Sequence, residues 1–284
     1  MRKQLATTRL VLLGTAGGPT PKRFRSAPAS AIVIGEDVYI VDCGNGVARQ
    51  MAIARLSAVS LRAVFITHHH SDHNADFGNL LLLAWAAGLT DEVELIGPEP
   101  LGSMLKGFFE IQREDIAIRM ADEGRPSLTE LVSEHEVNEA GVVYKDENLV
   151  VTAALVNHPP FRTALAYRFD SADRSIVFSG DTTRSPNLIS LAKGADILVH
   201  EVIYHPAIDA LTSHSNAPRL RQHLLGSHTD VTEVGSIAKE AEVKTLVLNH
   251  FVPADGEVDE RTWLEEARRG FDGKVIVGQD LMVI

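Results

Sequence analysis

The 284-residue chain contains a single cysteine, Cys43. That excludes an intramolecular disulfide, and it excludes a zinc ribbon, which needs several thiolates. No apolar run approaches the ~20 residues that cross a bilayer, so no membrane partner is expected. The opening "MRKQLATTRLVLLGTAGG" holds only a short apolar run, with Arg9 upstream of it and Gly14 at its end. It reads as a first strand rather than a secretory core. Low-complexity tracts and long linkers are also lacking, which favours one domain over residues 1–284. Basic residues are in deficit, with 27 Lys and Arg against 38 Asp and Glu, a formal charge of −11. Such a balance argues against gripping nucleic acid as the main task, because Lys and Arg drive phosphate binding, yet it leaves room for a local basic patch. Lone cysteine and missing leader together predict a cytoplasmic protein.

What the chain does have is a succession of short Val- and Ile-rich runs. "LVLLG" is followed by "AIVIGEDVYIVDCG", which reads as a hairpin turning at Gly35-Glu36-Asp37. Further strands are expected at "AVFIT", "VELIG", "NLVVTAALV", "ALAYRF", "SIVFSG", "DILVHE", "KTLVLNH", "KVIVG" and "LMVI". Helices are expected over "NGVARQMAIARL", "NADFGNLLLLAWAAGL", 186–193, 230–241 and 258–270. Strands that cluster early in each half and then alternate with helices suit two sheets packed face to face with helices outside. Residues 99–135 read as mostly helical, broken at "EGRPS", and are the first candidate for an inserted cap. The polar stretch 204–228 is the second.

The ten residues "THHHSDHNAD", 67–76, carry four histidines and two aspartates directly after an apolar strand. Other strands also end in ligand-type residues. "VVTAALVN" runs into His158, "SIVFSG" into Asp181, "DILV" into His200 and Glu201, and "KTLVLN" into His250. Sites in layered α/β proteins favour the carboxyl ends of strands. His68-x-His70 can present two imidazoles to one ion, and Asp72-His73 can turn toward a second. Imidazole and carboxylate suit zinc. Two ions can share a bridging carboxylate, for which Asp181 on a tight Gly-Asp turn is suited.

"HHHSDH" contains His-x-His-x-Asp-His, and with "NHPP", "FSGDT" and "VLNH" following in order the chain resembles the metallo-β-lactamase superfamily over nearly its whole length. The resemblance implies an α/β fold, a four-layer αββα sandwich with a dinuclear site at one edge. It implies His68, His70 and His158 as ligands of a first zinc ion, Asp72, His73 and His250 as ligands of a second, and Asp181 as the bridge. "GSHTDVTEVGSIAKEA" resembles the His-Ser/Thr motif of tRNase Z and of related phosphodiesterases and arylsulfatases. By that resemblance His228 is the catalytic acid for the leaving group and Asp72 its orienting partner. Asp230-x-x-Glu233 reads as a capping box, placing His228 beside a helix N-terminus.

Two departures set the chain apart from tRNase Z. "NADFG" follows Asp72-His73 without an early glycine, and no long Gly/Pro- and Lys-rich arm is present. The expected activity is therefore a metal-dependent hydrolase of a small-molecule phosphoric or sulfuric ester, phosphodiesterase or arylsulfatase-like, with a hydroxide bridging two zinc ions as nucleophile. The alternatives are a lactone, thioester or β-lactam hydrolase on the same site, or a tRNA 3′-processing endonuclease. Related proteins are often dimers, which brings a homodimer into view.

Other residues have blander readings. His69 is read as a non-ligand. His200 and Glu201 are open between structural residues and groups that fix a ligand imidazole. His135, His205, His214 and His223 carry no spacing argument and read as surface or satisfied polar histidines. Cys43 reads as a small buried residue. "LGTAGG" lacks the Lys-Ser/Thr of a phosphate loop and reads as a tight turn. Lys22, Arg23 and Arg25 are open between solvation and contact with an anionic substrate.

Overall fold

The structure, a computed structural model, describes residues 7–213 and 215–284. The reading of His214 therefore lies outside the described residues. One sheet is built from β1 (Thr8–Gly14), β2 (Ala29–Ile34), β3 (Asp37–Val41), β4 (Leu61–Phe65), β5 (Val93–Gly97) and β6 (Val132–Glu136). The other holds β7 (Gly141–Lys145), β8 (Leu149–Leu155), β9 (Leu165–Ser171), β10 (Ser175–Phe178), β11 (Ile197–Ile203), β12 (Thr245–Val252) and β13 (Lys274–Val277). The tail strand β14 (Met282–Val283) returns to pair with β1, so the orders are β14-β1-β2-β3-β4-β5-β6 and β13-β12-β11-β10-β9-β8-β7.

Alternation along the strands makes the layers. In β1, Leu10 and Leu12 point into the core between the sheets, while Val11 and Leu13 join the core on the outer face. In β12, Val247 faces the other sheet and Leu246 and Leu248 face outward. Both faces of these strands are apolar because both are covered. Phe65 sits between the sheets, in edge contact with Tyr144, Tyr167 and Phe169 at centroid distances of 5.6, 5.5 and 5.0 Å.

Helices α1 (Val47–Ile53) and α3 (Phe77–Ala86) cover the first sheet, and the single turn α2 (Ser71–Asn74) lies between β4 and α3. Residues 99–135 form α4 (Leu101–Ile111), α5 (Arg113–Glu123), a 3₁₀ turn and most of β6. Leu101, Leu105, Ile116 and Leu128 of that segment bury into the same outer core as α3. On the second sheet lie α6 (Pro186–Leu191), α9 (Val231–Glu240) and α10 (Glu260–Ala267). The stretch 204–228 forms α7 (Ile208–Thr212) and α8 (Leu220–Ser227). The αββα sandwich expected from the sequence is what the chain forms. No helix among the described residues is long and apolar enough to cross a membrane.

Within the second sheet β10, β11 and β12 are parallel, and two antiparallel steps bring β8 into the same direction. Their carboxyl ends therefore share one edge of the sandwich.

Candidate metal centre

Side chains from both sheets meet at that edge. β4 ends at Phe65, and the extended residues after it carry His68 and His70. His70 has extended backbone at the start of α2, and the turn of α2 then presents Asp72 and His73. His158 follows β8, and Asp181 follows β10 behind Gly180. Gly180 has φ +57°, and a Cβ there would lie 2.5 Å from the Leu165 carbonyl oxygen, so the Gly-Asp turn is dictated by space and backbone alike.

The strand-end reading needs one correction. β11 and β12 do not stop at their polar residues but run on to Ile203 and Val252. His250 is the extra residue of a bulge, because Glu201 pairs with Asn249 and Val202 with Phe251. It has φ +48°, a left-handed conformation that costs a non-glycine residue about 1–3 kcal/mol. The bulge turns its imidazole out of the sheet alternation and toward Asp181. Space for the ring comes from Gly17, where a Cβ would lie 2.8 Å from His250 Nδ1.

The seven residues form two groups that meet at one oxygen. His68 Nε2 and His158 Nε2 lie 3.0 and 3.1 Å from His70 Nδ1, and 3.8 and 4.0 Å from Asp181 Oδ2. On the other side of that oxygen, His73 Nε2 and His250 Nε2 lie 3.4 and 3.3 Å from it, and 3.6 and 3.4 Å from Asp72 Oδ2. All except His70 are buried.

Hydrogen bonds fix which ring nitrogens face the centre. His73 Nδ1–H donates to Asp42 Oδ2 at 2.7 Å, since a carboxylate only accepts. His158 Nδ1–H donates to the Ser227 carbonyl at 2.8 Å. The Thr67 hydroxyl gives its proton to Asp42 and so accepts from His68 Nδ1–H at 3.1 Å. Three imidazoles are thereby held with Nε2 lone pairs turned inward, and buried His73 Nε2 has no hydrogen-bond partner among the described residues. One proton cannot satisfy His68 Nε2, His70 Nδ1 and His158 Nε2 together, whereas a cation among them can. The donor set and its locked tautomers fit divalent metal.

The charges agree. Burial works against charge on His73, but Asp181, Asp42 and Asp72 outweigh it and hold its pKa well above the ordinary value. Burial pulls His68 well below and, with His158, takes His70 down to about 4. Asp181 and Asp72 stay well below the usual carboxylate range despite burial, Asp181 because of His250, His73 and His68, Asp72 because of His73 and His250. Anionic carboxylates and neutral imidazoles are the forms that bind metal, and Asp72, Asp181, His68 and His70 are shifted toward them; the upward shift of His73 reports the negative charge crowded around it, charge that favours a cation in the place of its Nε2 proton.

His228 stands beside this cluster, after α8 and before α9, whose N-cap Asp230 accepts from Thr232 N–H at 3.0 Å. Its ring stacks on His250 at 5.7 Å. Its carboxylate partner is not the expected Asp72 but Glu201, whose Oε2 lies 3.1 Å from Nδ1. Asp72 is occupied elsewhere, with Oδ2 turned to His73 and His250 and accepting from Gly18 N–H at 2.9 Å. Glu201 also accepts from Thr182 and Thr229 N–H at 3.0 and 3.2 Å. Burial pushes the His228 pKa down, but the charge and hydrogen bond of Glu201 prevail and raise it to about 9.

The histidines outside the two groups separate cleanly. His69 faces the Pro98 carbonyl and Asn74, away from the cluster. His200 is buried, with Nδ1 on the Glu201 carbonyl, and His205 pairs with Asp230. His135 lies on β6. Cys43 is buried, and its thiol is pushed well up by burial. His223, given no role from the sequence, has its ring 5.6 Å from His70 and 5.9 Å from His158. Sequence reasoning also missed Asp42, which ends "YIVD" and could have been found by the strand-end criterion that picked out Asp181.

Lys22, Arg23 and Arg49 line a cleft of about 370 Å3 that begins at Gly18, whose N–H reaches Asp72. Arg25 is committed inward, over the Phe251 ring and on Thr15 and Gly278.

Residues 38–251 match the family model described as the beta-lactamase superfamily domain. Ribonuclease Z of Mycobacterium sp. (strain KMS) is 34% identical over 275 residues, covering 96% of this chain and 94% of that protein. Among solved structures, the metallo-β-lactamase fold protein YhfI of Bacillus subtilis superposes with a TM-score of 0.72 at 20% identity, covering 98% of each chain. The short form of human tRNase Z gives 0.70 at 21% identity, covering 97% of this chain and 98% of that one. This chain therefore belongs to the metallo-β-lactamase superfamily and is a metal-dependent hydrolase.

Proposed function

We propose that the chain is a dizinc phosphodiesterase acting on RNA, an endonuclease of the Ribonuclease Z type. The observation that carries this choice is the similarity to Ribonuclease Z over 96% of the chain. The small phosphoric or sulfuric ester expected from the sequence gives way to its alternative, tRNA 3′-end processing. The two departures that favoured the small ester are local, and the similarity spans both sheets. A basic cleft beside the centre answers the charge objection, because Lys22, Arg23 and Arg49 offer positive charge where a phosphate backbone would approach.

His68, His70 and His158 would hold one zinc ion and Asp72, His73 and His250 a second, with the Asp181 carboxylate, within 4.0 Å of the inward nitrogens of His68, His158, His73 and His250, available to both. When bound, the ions supply an activated water and stabilise charge on the attacked phosphate. The chain supplies the rest. Asp42 and Ser227 keep His73 and His158 in the tautomer that ligates. Glu201 holds the proton on His228 Nδ1, so Nε2–H is the donor, and it protonates the leaving oxygen. A ribose alkoxide is a poor leaving group, which is why the acid is needed. On this reading the chain works in the cytoplasm, where such RNA is met.

The test compares chelator-sensitive cleavage of a precursor tRNA carrying a 3′ trailer, bis(4-nitrophenyl) phosphate and 4-nitrophenyl sulfate by zinc-loaded protein. Endonucleolytic removal of the trailer is expected. Turnover of the sulfate with the trailer intact would overturn the proposal.

A further inference from the structure

The last turn of α8 ties His223 to the centre. The Ser227 hydroxyl donates its one proton to the Pro159 carbonyl at 2.7 Å. Toward His223, 3.2 Å away, that hydroxyl can only accept, so His223 Nδ1 carries the ring proton. Nε2 is then a lone pair, and it has no hydrogen bond among the described residues. The Ser227 carbonyl meanwhile orients His158, so one residue fixes His223 relative to the first ligand group. One ring nitrogen each from His158, His223 and His228 lies within 4.8 Å of the others. The ring is half-buried rather than enclosed, at the mouth of the cluster.

An acceptor in this position is unusual company for a phosphodiester. Phosphate oxygens are themselves acceptors and would face the lone pair unfavourably. A donor is required, and the donor nearest a scissile phosphate in RNA is the vicinal 2′-hydroxyl, the group by which proteins tell RNA from DNA. Resting on the RNA reading above, we propose that His223 is a specificity residue whose Nε2 accepts a hydrogen bond from the 2′-hydroxyl next to the scissile phosphate.

The experiment uses the full chain loaded with zinc and two matched trailer substrates, one all-ribo and one with a single 2′-deoxy nucleotide 5′ to the cleavage point. The wild type is expected to cut the ribo substrate about tenfold faster, the worth of one hydrogen bond. His223→Ala should lose that preference by slowing the ribo substrate alone. His223→Gln, whose carbonyl oxygen can reach the same place, should restore part of it. Zinc content measured on each variant should stay at the wild-type value. Equal slowing of both substrates, or loss of zinc, would overturn the assignment and leave the RNA reading standing. Failure of the wild type to cut either substrate would overturn both.

Discussion

The residues that hold the site together are as telling as those that point into it. Glu201 reaches His228 from the neighbouring strand β11 and keeps it charged through neutral pH. If His228 is the acid proposed above, His228→Ala should lower turnover by about 10²–10⁴-fold without changing zinc content, because the seven residues proposed as ligands remain. Glu201→Gln should act on the pH profile instead. Glu201 is what raises the His228 pKa, so removing its charge lets the acid lose its proton sooner. The alkaline limb of the rate should move to lower pH by roughly one unit or more, and an unchanged limb in a pH series would remove Glu201 from this role. Asp42→Asn addresses the ligand side. It weakens the bond that fixes the His73 tautomer, and zinc affinity measured by competition should fall by about 10–100-fold.

At the scale of the element, one backbone bulge and one glycine set where His250 stands. Without the bulge in β12, His250 would follow the alternation of the strand and face one of the two apolar cores. Gly17 leaves the room that its ring fills. On the dizinc reading proposed above, Gly17→Ala should push His250 off Asp181, so that zinc bound per chain falls below that of the wild type, read by elemental analysis alongside an unchanged far-UV spectrum. Retention of both ions would show that the loop yields instead. At this scale the sequence was readable where strands are buried on both faces. β4, β5, β10 and β11 stand out as apolar runs. The edge strands β6, "VSEHE", and β7, "GVVYK", were missed, since only part of each faces a core and their polar residues hide the strand pattern.

For the whole molecule, the two sheets and the centre stabilise one another. Phe65 fills the space between the sheets close to the strand end that launches His68. Phe65→Ala should cost about 3–5 kcal/mol in denaturant unfolding. Removing the ions should lower the melting temperature as well, because a ligand that binds only the folded chain stabilises it by about 2.7 kcal/mol at a hundred times its dissociation constant. A melting temperature indifferent to chelator would argue against metal at the buried cluster.

The sequence by itself determined the sandwich and the seven convergent groups. Both are written in local patterns, apolar runs of strand length and ligand-type residues at or near their carboxyl ends, and the parallel direction of those strands brings the ends together. It did not determine the partners. Which carboxylate meets His228, which oxygen fixes His73, and that His223 stands over the centre all depend on contacts between positions far apart in the chain. The sequence motif pointed to Asp72 as the partner of His228, and nothing local to Glu201 marked it for that place. Only the tertiary structure decided between them, by turning Asp72 toward His250 and Gly18 and leaving Glu201, one strand away from His250, as the carboxylate within hydrogen-bond reach of His228.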